Sequence, residues 1–342
     1  MDCLKKPLKL RKGDTIATIS PCNGWAGDLE TKWKYELGVK RLQEIGLNVI
    51  AAPNSLKGTD YLSKNPQARA EDFMWAFTNK DVNAVIANMG GNDSIQIIPY
   101  IDPKCIQENP KIFVGFSDVM NLHLLCYKYG LSTFYGDNLL YPIAEAQGWH
   151  DYSKKWFMDV FFTNNVIGTV PPAKEWTYEP TDYTNPDYIR KYYKNDPYEL
   201  LQGTGIVQGK LFGGHTGLME LNGTALELSQ ADFIDKILFL EGIPLYYTKD
   251  NLAKFFDWLG QINALEKLRG VILGKANQKG EFQEEKNEIV RIISDKYGRY
   301  DLPVLYGLNF GHSSPICILP YGARAQINCD AKTFSILESG TI

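Results

Sequence analysis

Apolar and polar positions along the first 140 residues switch repeatedly between two periods. Short β-branched runs at residues 15–20, 48–52, 84–89, 111–116 and 133–135 predict strands. Between them, residues 29–45, 66–78, 94–101 and 118–129 carry apolar positions at helical spacing. A strand–helix–strand rhythm of this kind predicts a parallel sheet covered by helices on both faces. In such sheets ligands gather outside the carboxyl ends of the strands, so the residues that follow each strand are the ones to search for chemistry.

The pattern breaks at Val170. From there to Gly203 the chain holds five prolines, Trp176 and six tyrosines with little periodicity. The stretch reads either as a proline-rich connector with tyrosines packed on its surface or as a lid that presents aromatic faces to a substrate. Beyond it, apolar runs at 236–240, 270–273 and 303–305 predict further strands, and residues 316–329 followed by 333–337 predict a β-ribbon. Leu252, Phe255, Phe256 and Leu259 fall on one helical face, as do Ile289, Ile292, Ile293 and Tyr297, and both stripes read as core. The expected organisation is an α/β chain of two domains. Residues 1–169 form a parallel-sheet α/β domain, residues 170–203 a crossing segment, and residues 204–342 a smaller mixed α/β domain with β-ribbon.

Composition narrows the class. The 342 residues are 44% hydrophobic and 22% charged, values of a folded globular protein, and the formal charge of −4 argues against a dedicated nucleic-acid binder. No apolar run reaches the ~18 residues that span a bilayer, and charges arrive too early for a secretory leader. Cys3, Cys22, Cys105, Cys126, Cys317 and Cys329 are scattered without a CxxC pair, which suggests reduced, mostly buried thiols and a cytoplasmic protein, with no metal site.

Candidate chemistry starts at Gly115-Phe116-Ser117-Asp118, where a β-rich run passes directly into a helical pattern. A serine on such a turn stands clear of the sheet beside the amides of a helix N-terminus, as in a nucleophile elbow; alternatively Ser117 and Asp118 only cap the helix. A serine nucleophile needs a base, and the chain has four histidines. His123 lies six residues further on, facing away from the hydroxyl, and His150 joins no convergent motif. His215, in Phe212-Gly213-Gly214-His215, and His312, after Gly311 at the end of an apolar run, both remain open, with spacing favouring His312. Glu241 follows five mostly apolar residues, so it is either a solvated strand end or a buried carboxylate with a partner such as His312. Gly90-Gly91-Asn92-Asp93 after the 84–89 run allows close backbone approach to a ligand, and its N–H groups together with that of Asp118 offer an oxyanion site; the phosphate-loop patterns are absent.

These segments, with Gly13-Asp14-Thr15-Ile16-Ala17, Ser20-Pro21, Gly209-Lys210-Leu211-Phe212-Gly213-Gly214, Leu238-Phe239-Leu240-Glu241, Gly270-Val271-Ile272-Leu273-Gly274 and Gly311-His312, occur in the order of the LD-carboxypeptidase family of serine peptidases, which the chain resembles over nearly its whole length. The resemblance implies an N-terminal α/β sandwich bearing the nucleophile Ser117. A C-terminal domain would bear the general base His312 and its orienting carboxylate Glu241, with Gly91 and Asp118 giving oxyanion N–H groups. It also implies a site between the domains, a homodimer, and no cofactor. The Gly90–Ser94 loop and the aromatic segment look most like the microcin-immunity branch, which cleaves an amide joining a peptide-derived aspartate to a nucleotide-like group; the murein branch instead releases terminal D-alanine during cell-wall recycling. Asn92, Trp176 and His215 are the candidate substrate contacts, with Trp176 the candidate for stacking on a base. Two departures from the family pattern are visible. His215 stands where many relatives have asparagine, and Gly242 follows Glu241 where aspartate is common. An α/β-hydrolase esterase is a rival reading, weakened because Val119 occupies the position where that elbow carries glycine; a non-catalytic ligand-binding protein is another.

Overall fold

The computed structural model describes residues 4–244, 246–276 and 282–342; Cys3 lies outside them. The chain is an α/β protein with two domains. In the first, β1 (Thr15–Ile19), β2 (Asn48–Ala51), β3 (Ala84–Ala87), β4 (Ile112–Gly115) and β5 (Phe134–Tyr135) lie side by side in the order β5-β4-β3-β1-β2, all parallel. Every residue of β3 and β4 is buried, as expected of central parallel strands sandwiched by helices, whereas edge strand β2 is partly exposed. Helices span Lys32–Glu44, Pro66–Thr78 and Met120–Lys128, with proline at the start of the second, where its missing N–H costs nothing. The expected helix at 94–101 is a 3₁₀ segment, Ser94–Tyr100, containing Pro99.

The second sheet has eight strands: β6 (Gly168–Thr169), β9 (Glu199–Gln202), β10 (Ile206–Gly214), β11 (Lys236–Leu240), β12 (Gly270–Gly274), β13 (Val304–Leu308), β15 (Arg324–Asn328) and β16 (Thr333–Ile336). Its centre, β10-β11-β12-β13, is parallel, and antiparallel strands flank it on both sides. The helix Lys249–Gln261 buries Leu252, Phe255, Phe256 and Leu259 in the apolar core, the stripe read from the sequence. In the crossing segment β7 (Glu175–Trp176) pairs antiparallel with β8 (Tyr193–Lys194).

The two sheets trade strands. Within the expected ribbon, Leu319–Pro320 (β14) leaves to pair antiparallel with β5 in the first sheet, while β6 from the first 169 residues and β9 from the crossing segment join the second. A single buried apolar cluster runs through both halves. Cys22, Cys105, Cys126, Cys317 and Cys329 are buried free thiols, and among the described residues no helix is long and apolar enough to cross a membrane.

Candidate active site

The carboxyl ends of β1, β3, β4, β5, β10, β11 and β13 converge on one cavity of ≈ 790 Å³ between the domains. Its wall includes Gly91 and Asn92, Ser117 and Asp118, His215, and His312, from four stretches far apart in sequence.

Ser117 sits between β4 and the helix Met120–Lys128 with φ of 65°, a left-handed conformation that a serine adopts at a cost of about 1–3 kcal/mol. A Cβ at position 90 would come within 2.9 Å of the Ser117 Cβ, so glycine is what lets the β3 loop approach the serine this closely. That loop is stitched in place. The Asp118 carboxylate accepts the N–H groups of Asp93 (2.9 Å) and Ser94 (2.8 Å), and the Ser94 hydroxyl donates to the Asp118 carbonyl (2.6 Å). Buried Arg69 donates to the carbonyls of Pro21 (3.1 Å) and Cys22 (3.0 Å) and to Asp93 (2.8 Å), tying the β1 and β3 loops together.

Glu241, just beyond β11, is fully buried. Its Oε2 accepts both the Nδ1–H (2.7 Å) and the backbone N–H (2.8 Å) of His312. At Gly311 (φ 78°) any Cβ would collide with that oxygen, so the histidine turn requires glycine. Burial pushes the Glu241 carboxyl up, but the His312 charge and hydrogen bonds, with His215 and Tyr135, hold it below the ordinary carboxylate range. With Nδ1 committed to Glu241, His312 has Nε2 left for the cavity that its side chain lines. Its ring meets Phe116 edge-on at 5.2 Å, and its carbonyl accepts the Tyr141 hydroxyl at 3.1 Å.

Sequence reasoning missed Tyr135. Its hydroxyl accepts the Ser117 N–H (3.1 Å) and donates to Glu241 Oε1, so one phenol joins the serine turn of the first domain to the carboxylate of the second. Burial and the neighbouring Glu241 push this phenol well up, so it keeps its proton and acts as donor. A tyrosine ending a buried strand looks like core in any pattern analysis.

The remaining histidines separate clearly. His123 is buried in the first domain, its Nδ1 beside Thr133 Oγ1 and its Nε2 beside the Gly115 carbonyl (both 2.9 Å), and burial lowers it to about 3. His150 caps the helix Asp151–Phe161 by accepting the Tyr152 N–H. His215 accepts the Gly217 N–H at Nδ1 (3.0 Å) and lies on the cavity wall; burial lowers it.

Trp176, the candidate for base stacking, stands apart from this cavity. Its ring lies in the β7–β8 hairpin with the Lys275 ammonium 4.4 Å above it and Tyr178 alongside, and it is not among the cavity-lining residues. The tryptophan on the wall is Trp25, set edge-on to Tyr183 at 4.9 Å. The crossing segment does reach the cavity, through Glu179, Pro180, Thr181, Tyr183 and Arg190. Among the described residues no group of three His, Cys, Asp or Glu side chains could hold a metal ion.

Comparison with known proteins agrees with this architecture. Residues 16–136 match the sequence model of the LD-carboxypeptidase N-terminal domain, and residues 208–327 that of the LD-carboxypeptidase C-terminal domain. The chain is 27% identical to the microcin C7 self-immunity protein MccF of Escherichia coli, over 96% of this chain and 94% of that protein. It is also 27% identical to the Bacillus subtilis protein named "Probable murein peptide carboxypeptidase", covering 98% and 95% of the two chains. The crystal structure of an MccF-like protein from Streptococcus pneumoniae in complex with AMP superimposes with a TM-score of 0.86 at 29% identity, covering 95% of this chain and 98% of that one. Matched in order by both domain models, and aligned with these relatives almost from end to end, the chain belongs to the LD-carboxypeptidase family.

Proposed function

We propose that the protein is a serine peptidase in which Ser117 is the nucleophile, His312 the general base and Glu241 the carboxylate that orients it. The observation that carries this reading is the His312–Glu241 pair, 2.7 Å apart, on the same cavity as a serine with φ of 65°. His312 Nε2 takes the Ser117 proton as the hydroxyl oxygen attacks the scissile carbonyl. Glu241 holds the tautomer and stabilises the imidazolium. The imidazolium then protonates the leaving nitrogen, and water, activated by the same base, hydrolyses the acyl-enzyme. Because the Ser117 N–H already donates to Tyr135, the amides of Gly91 and Asp118 are the ones this reading assigns to the tetrahedral oxyanion. As written, the reaction calls for no metal or organic cofactor.

The substrate in this reading is a small aminoacyl- or peptidyl-nucleotide cleaved at its amide. A relative of similar fold binds AMP, and the cavity offers the rings of Trp25, Tyr141, Tyr183 and Tyr246 beside Asn92 and His215. Trp25 takes the base-stacking role that the sequence suggested for Trp176. The second reading, release of terminal D-alanine from a murein tetrapeptide, draws support from the Bacillus subtilis relative. Both readings carry a cytoplasmic homodimer. Incubation with an aspartyl phosphoramidate of adenosine and with a murein tetrapeptide, followed by mass spectrometry, is expected to show cleavage of the former. Ser117→Ala is expected to abolish it while leaving the circular-dichroism spectrum unchanged. A folded Ser117→Ala protein with near-normal turnover refutes the nucleophile assignment.

A further inference from the structure

Among the residues lining the cavity, three buried side-chain atoms have no hydrogen-bond partner: Arg190 Nη2, Asn138 Nδ2 and His215 Nε2. All three are donors. Asn138 accepts the Phe116 N–H through Oδ1 (3.2 Å), which leaves its NH₂ free, and His215 accepts through Nδ1, which puts the proton of the neutral ring on Nε2. A buried donor without an acceptor is costly, and three around one cavity call for a ligand rich in acceptors.

Arg190 is the strongest of the three. Its side chain is 2% exposed; Nε donates to Glu145 (3.1 Å) and Nη1 to the Glu179 carbonyl (3.1 Å), while the guanidinium lies over the Tyr141 ring at 5.1 Å. Glu145 is shared between two cations, Arg190 and buried Lys34 at 3.9 Å. The Glu179 carboxylate accepts the Lys191 N–H (2.7 Å) and the Tyr193 hydroxyl (2.8 Å), and neither it nor Glu145 reaches Arg190 Nη2. Both Arg190 and Asn138 adjoin Tyr141, whose carbonyl accepts the Asn138 N–H (3.0 Å) and whose hydroxyl donates to the His312 carbonyl. Both donor residues thus line the same cavity as His312, the histidine that would protonate the leaving nitrogen.

We infer that Arg190 Nη2 and Asn138 Nδ2 form the seat for an anionic group carried on the leaving nitrogen. The inference rests on the peptidase reading above and adds to it the residues that hold the leaving group. Two sources share the chemistry: the carboxylate of a leaving amino acid, whose carbon is two bonds from the nitrogen, and the phosphoryl group of a leaving nucleotide phosphoramidate, bonded to the nitrogen directly. A planar guanidinium fork suits either.

The test uses the full chain and three substrates that share one acyl group but differ in leaving group: D-alanine, D-alaninamide and adenosine 5′-phosphoramidate. The wild-type protein is expected to favour at least one anionic leaving group over the neutral amide by roughly 10- to 100-fold in kcat/KM. Which anion is favoured identifies the source. Arg190→Lys, which retains a cation for Glu145 but lacks the fork, and the near-isosteric Asn138→Asp are each expected to shrink that ratio at least tenfold. A wild-type protein indifferent to leaving-group charge overturns the inference, as do variants in which all three substrates fall together and the ratio stands. The same ratio is read as binding by calorimetry on Ser117→Ala with the uncleaved compounds. Failure of the nucleophile assignment, seen as turnover by Ser117→Ala, is thus a separate outcome from failure of the anion seat.

Discussion

At the scale of single residues, Tyr135 does most to unite the site. Glu241 is fully buried and accepts three hydrogen bonds, two from His312 and one from Tyr135. Removing the phenol hydroxyl leaves Oε1 without its donor and the Ser117 N–H without its acceptor, at a cost of about 1–3 kcal/mol for the buried group. Tyr135→Phe is expected to raise the Glu241 carboxyl, because a lost donor disfavours the ionised form. The acid side of the kcat/KM profile should then move to higher pH, with kcat down roughly tenfold or more and KM little changed. An unshifted profile with full kcat would make the tyrosine ordinary packing. Ser117, Glu241 and His312 could be named as candidates from the sequence because each follows an apolar strand at a glycine-flanked turn, and the family resemblance chose His312 over His215. Tyr135, Asn138 and Arg190 could not be so named, because a buried tyrosine, an asparagine in a loop and an arginine in an irregular segment carry no periodic or motif signature.

At the scale of elements, the turn from β4 into the helix Met120–Lys128 is braced from beneath by His123, whose ring nitrogens face Gly115 at the end of β4 and Thr133 beside β5. Its pKa falls from the ordinary 6.5 to about 3 on burial, so between those values the unfolded chain binds a proton that the folded protein does not. Stability contributed by the neutral ring is complete above pH 6.5 and is lost as the pH falls toward 3, by up to about 5 kcal/mol. Urea unfolding midpoints of the wild-type protein should therefore drop more steeply between pH 6 and 4 than those of His123→Gln; parallel slopes would contradict this account. Helix and strand positions in the first domain were readable because their periods differ, whereas the 3₁₀ character of Ser94–Tyr100 depends on Pro99 and on the Asp118 carboxylate that accepts the Ser94 N–H.

At the scale of the whole molecule, the exchange of strands makes the two sheets mutually dependent. β14 completes the first sheet from the far end of the chain, and one apolar cluster spans both domains. Thermal unfolding followed by calorimetry and by near-ultraviolet circular dichroism should show one coincident transition, while two resolved transitions would mean that each sheet folds alone. The order of strands and helices, the family resemblance and the candidates Asn92, Ser117, Asp118, His215 and His312 on the cavity wall followed from the sequence, because hydrophobic periodicity and glycine turns are local properties of a chain. Which indole faces the cavity, where β14 pairs, how Tyr135 joins Ser117 to Glu241, and that Asn138 and Arg190 share a cavity with His312 were decided only by tertiary structure. Those contacts join residues more than a hundred positions apart, or leave a donor unpaired in a wall built from several loops, and no local pattern encodes either.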